Sequence, residues 1–461
     1  MEGIALSEHI KAKDEVIIFP DHPTYEEKRK VWNTGINRYP AAIFVCRNEE
    51  DVVAAVNYAK KHELDIAIRG GGHHFAGTAV CDDGVMIDLS SMNHVKVDEK
   101  RQVAIVEGGA KLGDVDAKTQ QFGLATPTGT VSETGIAGLA LGGGFGYLRG
   151  KHGLTSDNIV GARMVTADGH LIDVNENNHP DLFWAIKGGG GNFGVVTSFE
   201  FQLHPVGPEV MALDVMYDYN DLDTVIFNLQ EYMKTAPDEI TVNLAIVQLP
   251  PAPFLPAELH HKRVIMLSGM YADEVNDTVE EAVIQPLQHL ANPIMDHTGK
   301  VAYNELQTKL DPMVPNGVPV GGTSLFFKEM TNEMLSVLKN AIENANLPMV
   351  MAQLWPLHGK INRVPAEETA FAVRDAGYML LIDAEVSKDD PETCEQWLAS
   401  VYEQLLPYAH QKTSYLNGIN PDETIIKNTY GANYQKLANI KGKYDPNNVF
   451  CHNHNIAPEN A

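Results

Sequence analysis

Arg69-Gly70-Gly71-Gly72-His73-His74-Phe75-Ala76-Gly77 follows directly on the short stretch Asp65-Ile66-Ala67-Ile68. The apolar run reads as a strand, and the glycines leave no room for a helix straight after it. Consecutive glycines permit turns closed to other residues and let the backbone approach a ligand closely. Successive free N–H groups in such a turn form an anion-binding concavity. An arginine opens the loop and two imidazoles follow it. That combination suits a phosphorylated cofactor whose reactive ring lies within reach of a histidine.

Upstream, Ala41–Cys46 reads as a strand, and Asn48 is placed to cap a helix with Glu49, Glu50 and Asp51 in its first turn. Val52, Val53, Val56 and Ala59 fall on that helix's buried face, so the first unit reads β-α-β. Downstream come strands at Val85–Leu89 and Val103–Glu107 and a helix over Ala110–Phe122 that stops at Gly123. Glycine then becomes dense: Pro127-Thr128-Gly129-Thr130, Gly135, Gly138 and Gly142-Gly143-Gly144-Phe145-Gly146. Strands at Ile159–Thr166 and His170–Val174 flank the turn Asp168-Gly169, a helix covers Pro180–Ile186, and Val195–Leu203 alternates as a strand. Beyond Pro205 glycine thins out. Strands are expected at Val210–Tyr217, Ile240–Gln248, Arg263–Tyr271, Met349–Leu357 and Ala376–Ile382. Helices are expected at Asp221–Thr235, Asp273–Leu290 and Pro391–Leu406. No internal repeat interrupts this order.

The 461 residues suffice for two domains with sizeable cores. A formal charge of −26 disfavours nucleic acid and anionic membrane surfaces as partners, which call for a basic footprint. The four cysteines, Cys46, Cys81, Cys394 and Cys451, show no CxxC spacing and imply no disulfide framework. The first residues, Met1 to Glu8, lack a basic region followed by an apolar core, and no run approaches membrane-spanning length. A cytoplasmic protein is the expectation.

Two patterns invite a different reading. Gly189-Gly190-Gly191-Asn192-Phe193-Gly194 matches GxGxxG, but the dinucleotide fingerprint needs a strand before it and a helix after it. Here the helix precedes and the strand follows, so a connecting loop, or a loop for another cofactor, is expected. Cys451-His452-Asn453-His454 resembles a metal cluster, yet such sites usually draw ligands from separated elements; no metal is expected.

Laid in order, these pieces resemble the vanillyl-alcohol oxidase superfamily of flavoproteins, in its berberine-bridge-enzyme-like and hydroxynicotine-oxidase-like group, over nearly the whole chain. Arg69-Gly70-Gly71-Gly72-His73 is similar to that family's Arg-Ser-Gly-Gly-His loop, whose histidine bonds the 8α carbon of FAD. Gly142-Gly143-Gly144-Phe145-Gly146 with Tyr147 resembles the second flavin loop, preceded by Thr128, Gly129, Thr130, Val131, Gly135 and Gly138. Ser156-Asp157-Asn158-Ile159 matches the segment after it. Phe183 through Gly194, with Val196 beyond, resembles the stretch near the adenosine half, and Tyr430 through Asn455-Ile456 the closing segment.

The resemblance implies an α+β, two-domain PCMH-type fold. Residues 1–205 would bind FAD, 206–415 would form a substrate domain on an antiparallel sheet, and 416–461 would return to the first domain. It implies FAD held by one covalent link through His73, with Arg69, Gly70, Gly71, Gly72, His74 and Gly77 around it. Many relatives carry a second bond from a cysteine; that position falls on Val131 here, and Cys81, before Asp82-Asp83-Gly84, reads as part of a surface turn. The glutamate that serves as base in the berberine bridge enzyme falls on Ala366, beside Glu367 and Glu368. The family's Tyr-x-Asn-Tyr reads Tyr415-Leu416-Asn417-Gly418, so its second tyrosine is glycine. Tyr415 and Asn417 remain the candidate catalytic pair. They would share a side if the segment is a strand, with a phenol pKa lowered by a neighbouring donor. His358, Lys360 and Gln353 are the next candidates.

The implied reaction removes a hydride from a C–OH or C–N group of a small molecule, with dioxygen as electron acceptor. A flavin dehydrogenase with another acceptor, or a flavin-carrying protein with little catalysis, are the alternatives.

Overall fold

The computed structural model describes residues 17–251 and 255–459; the N-terminal stretch Met1 to Glu8, read above for a signal, lies outside the described residues. Asn48 accepts the N–H of Asp51 at 2.9 Å and starts the helix Glu49–Lys61, whose Val52, Ala55, Val56, Tyr58 and Ala59 are buried. Strands Ala42–Val45 and Ile66–Arg69 flank this helix in sequence but are not neighbours in the sheet. Val85–Asp88 lies between them, parallel to both. The β-α-β unit therefore skips a strand, and the glycine loop leaves from a sheet edge. A five-stranded antiparallel sheet follows, in the order Val95–Asp98, Val103–Glu107, Val195–Gln202, Ile159–Val165, Leu171–Val174. The strand Val95–Asp98 and the helix Ile136–Leu141 had no strong local signal.

The second architecture is an eight-stranded antiparallel sheet assembled from Glu209–Asp218 through Tyr378–Glu385. Its alternation gives the sheet two different faces. Ile240, Val242, Leu244 and Ile246 of strand Ile240–Gln248 pack against the helices Leu222–Met233, Asn332–Glu343 and Pro391–Leu405, as do Tyr378, Leu380, Ile382 and Ala384 of strand Tyr378–Glu385. The intervening Asn243, Ala245 and Val247, and Met379, Leu381, Asp383 and Glu385, line a cavity on the opposite face. One face is a core; the other is the roof of a pocket.

Two expectations for this half change. The helix expected over Asp273–Leu290 starts only at Asp277, because Asn276 caps it by accepting the N–H of Val279 at 3.0 Å. It passes through a π-turn at Glu280–Ile284 before Pro286, which has no N–H to continue the ladder. The short strands Pro293–Asp296 and Gly299–Ala302, which pair one after the other along Glu209–Asp218, the strand Val320–Phe327 and the helix Asn332–Glu343 are additional elements. Helices Glu423–Tyr430 and Asn433–Tyr444 bury Ile426, Tyr430, Leu437 and Ile440 in the same core as Phe199 and Phe201 of the five-stranded sheet, so the tail returns to the first half. Among the described residues, no helix is long and apolar enough to cross a membrane.

Candidate functional site

A cavity of about 570 Å³ opens between the glycine loops and the bare face of the eight-stranded sheet. Its floor includes Gly70, Gly71, Gly72, His73 and His74 from the first loop. Gly129, Thr130, Val131, Gly135, Gly138 and Gly142 come from the second region, and Gly194 and Val196 from the start of strand Val195–Gln202. The two loops are pressed together. A Cβ on Gly71 would stand 2.3 Å from the Gly135 nitrogen, and one on Gly135 would stand 2.2 Å from the Gly71 nitrogen. Only glycine at both positions permits this approach. The GxGxxG stretch does join helix Pro180–Ala185 to strand Val195–Gln202.

His73 stacks on Trp32 with ring centroids 4.2 Å apart and planes at 16°. Its Nε2 is buried without a hydrogen-bond partner. Burial lowers its pKa to about 4, so the ring is neutral at physiological pH. His74 accepts the N–H of Ala76 on Nδ1 at 3.1 Å and meets His454 Nε2 with its own Nε2 at 3.3 Å. Burial likewise lowers His74 to about 4 and His454 to about 3.

Other sequence candidates serve the scaffold. The Arg69 guanidinium is spent on the Asp88 carboxylate and on the carbonyls of Lys28 and Lys30, at 2.7 and 3.0 Å. Thr128 joins a buried network in which Gln307 Nε2 donates to its Oγ1 at 2.7 Å and to Asp116 at 3.0 Å. Tyr147 is buried in the apolar cluster with Val210, Ala212 and Met270. Asn158 donates to the carbonyls of His152 and Leu154 and pairs with His204 Nε2 at 2.7 Å. Gly77, Gly143, Gly144 and Asn455 lie outside the cavity wall. Cys81, expected in a surface turn, is buried, with burial raising its thiol to about 11. His452, from the suspected metal cluster, contacts Val80 O at 2.8 Å.

Tyr415 and Asn417 line the cavity together. Ser324 Oγ accepts the Tyr415 N–H and donates to its carbonyl, both at 3.0 Å, tying Tyr415 to strand Val320–Phe327. The ring meets Phe145 edge-on at 4.7 Å. The segment is not the strand expected; Leu416–Gly418 is a 3-10 turn, and the turn itself brings Asn417 Nδ2 to 3.0 Å from Tyr415 Oη. The phenol pKa is not lowered. Burial raises it to about 12, outweighing the Asn417 bond, so Tyr415 stays protonated at neutral pH. Ala366, Glu367 and Glu368 are exposed and away from the cavity, as is Lys360; His358 contacts Pro237 O at 3.2 Å outside it.

The residue that sequence reading missed is Asp383. It is 8 % exposed, faces the cavity, and accepts from Gln353 Nε2 at 2.8 Å on Oδ2. Its Oδ1 is buried and unpartnered. Burial raises its pKa to about 7 against the smaller opposing effect of Gln353. Its signal in sequence is a lone carboxylate in Tyr378-Met379-Leu380-Leu381-Ile382-Asp383, in phase with the cavity face rather than the core face. Asn243 and Ser268, cross-strand partners on the same face, also line the cavity.

Residues 40–175 match the family model described as an FAD binding domain, and residues 414–457 the one described as berberine and berberine like. An FAD-linked oxidoreductase of Dictyostelium discoideum is 34% identical over 438 residues, covering 93% of this chain and 91% of that protein. The crystal structure of 6-hydroxy-D-nicotine oxidase from Arthrobacter nicotinovorans superimposes with a TM-score of 0.83 at 27% identity, covering 96% of this chain and 98% of that one. Glucooligosaccharide oxidase from Acremonium strictum, whose FAD is described as 6-S-cysteinyl and 8α-N1-histidyl, shares the fold with a TM-score of 0.85 at 24% identity, over 96% and 97% of the two chains. With its two-domain α+β fold, the chain belongs to the berberine-bridge-like FAD-linked oxidoreductases.

Proposed function

We propose that this protein is an oxidase that holds FAD through a single bond from His73 and oxidises a C–OH or C–N group of a small molecule. The observation carrying this reading is the neutral, stacked imidazole of His73, with a free buried nitrogen, set in a glycine cradle beneath a polar sheet face. These residues fit the cofactor. Gly71 and Gly135 let the two glycine loops close on each other and frame one wall of the cavity, and Trp32 holds the imidazole ring in place. Val131 lines the cavity and stands at the position the family resemblance gives to a second, cysteinyl bond, which supports one link.

Held beside His73 and the two glycine loops, FAD would supply a hydride acceptor whose electrons dioxygen would take up. The protein's part is positioning and proton transfer. The Tyr415 hydroxyl, fixed by Asn417, donates to the substrate heteroatom. Asp383 Oδ1 takes the proton that leaves the substrate O–H or N–H as its carbon is oxidised; a base whose pKa lies near 7 suits that task at neutral pH. Apolar Met351, Met379 and Leu381 exclude water around the reacting carbon.

The test is anaerobic mixing of the purified yellow protein with alcohols, sugars and amines, followed by admission of air. Bleaching of the flavin absorbance with one class, then recovery with stoichiometric peroxide, is the expected outcome. Recovery that needs an added dye acceptor would make the protein a dehydrogenase. A flavin that no substrate bleaches would reject the enzymatic reading.

A further inference from the structure

The charge around Asp383 is one-sided. Within the sheet its cross-strand neighbours are Met351 on one flank and Gly322 on the other. Along its own strand the next residues on that face are Leu381 and Glu385. Among the described residues, the one polar group that hydrogen-bonds it is the neutral amide of Gln353. No lysine or arginine is among the described residues lining the cavity, and none of the described ion pairs involves Asp383 or Glu385. The histidines of the opposite wall, His73, His74, His452 and His454, are held neutral by burial.

A buried carboxylate oxygen without a partner is costly unless a cation or a proton reaches it. Nothing in the described wall supplies one. The second carboxylate, Glu385, lies two residues on along the same face and adds charge of the same sign. Neutral alcohols and sugars would leave that charge uncompensated, and a carboxylate substrate would meet repulsion.

We propose that the substrate is a small amine, bound as its ammonium ion with the nitrogen on Asp383 Oδ1 and its apolar body against Met351 and Met379. This rests on the oxidase reading above and narrows its C–OH or C–N alternatives to C–N. Selection is electrostatic: the ammonium satisfies the orphaned oxygen, Gln353 keeps the other oxygen in place, and Glu385 raises the negative potential at the mouth. The N–H proton then passes from the ammonium to Asp383, which becomes a neutral acid and leaves a free amine beside it. No other group need change its charge. The overall excess of acidic residues favours arrival of a cation over long range.

The experiment uses the intact holoenzyme and three ligands of matched shape: benzylamine, benzyl alcohol and benzoate. Calorimetric titration near about pH 8, where the amine is protonated and a carboxyl titrating near neutrality is ionised, reads binding independently of turnover. Benzylamine is expected to bind about tenfold or more tightly than benzyl alcohol, and benzoate not at all. D383N should lower amine affinity by about tenfold and so erase the preference for amine over alcohol, and E385Q should lower it by about threefold. M351K, which sets an ammonium on the cross-strand neighbour of Asp383, should abolish the preference even if D383N folds poorly. Equal or weaker binding of the amine, binding of benzoate, no binding of benzylamine, or an unchanged preference in both D383N and M351K would overturn the proposal. Anaerobic absorbance on the same complexes separates the two readings. Selective amine binding with no bleaching by any substrate keeps the site and rejects the oxidase, whereas bleaching by alcohols alone keeps the oxidase and rejects the amine.

Discussion

Asn417 Nδ2 donates to Tyr415 Oη across 3.0 Å, and the same amide rests against Gly142, where a Cβ would stand 2.2 Å from Asn417 Oδ1. One side chain thus links the second glycine loop to the phenol on the cavity roof. Tyr415→Phe should slow flavin reduction in single-turnover kinetics by about a hundredfold to a thousandfold, the value of one oriented donor. The visible spectrum should not change, because the ring still packs on Phe145. Reduction at the parent rate would remove Tyr415 from the reaction.

His73→Ala should give a protein whose FAD is released by acid precipitation, whereas the parent's flavin stays on the polypeptide. Cys81→Ala should leave the linkage intact, since its thiol is buried and raised to about 11, far from the reactive thiolate range. Mass mapping of the flavin peptide checks both. Flavin on a cysteine peptide would contradict the single link.

Gly71→Ala drives a Cβ into the Gly135 backbone, which has no side chain to move aside. The expected cost is about 1–3 kcal/mol of stability, together with a lower fraction of bound flavin. Thermal melts and the ratio of flavin to protein absorbance read these separately.

Asp383 must be ionised to accept a proton, and burial raises its pKa to about 7. The rate of flavin reduction should therefore fall as pH drops through about 7 and level off above it. D383N should be slow at every pH, without that inflection. A parent profile that stays flat across this range would assign the proton to another acceptor.

Asp116 is buried under the second loop with Thr128 and Gln307, and burial raises its pKa to about 7. The folded state binds this proton more tightly than the unfolded chain does. The stability it contributes is present below the ordinary value of 3.8 and is lost as pH rises through about 7. D116N removes the ionisation, so its stability should improve relative to the parent between about pH 5 and about pH 8, by on the order of 2 kcal/mol. Denaturant melts at both pH values measure it.

Local sequence determined the cofactor half of this molecule. Glycine runs set between strands, an Asn cap and the offsets from His73 to the closing tail are read along the chain, because each depends on backbone freedom or on a neighbour a few residues away. Regular strands such as Ile240–Gln248 and Arg263–Tyr271 were also legible, since alternation is local. The tertiary structure decided what those alternating faces meet. Strand order placed Val85–Asp88 between the two strands expected to form one unit, and set Tyr378–Glu385 between two partners with Asp383 on the cavity face. It turned Arg69 from a ligand-facing cation into the partner of Asp88, and it brought Tyr415 and Asn417 together through a turn rather than a strand. Whether a carboxylate is catalytic, structural or solvated depends on desolvation and on the groups that approach from distant segments. Neither quantity exists until the chain has folded.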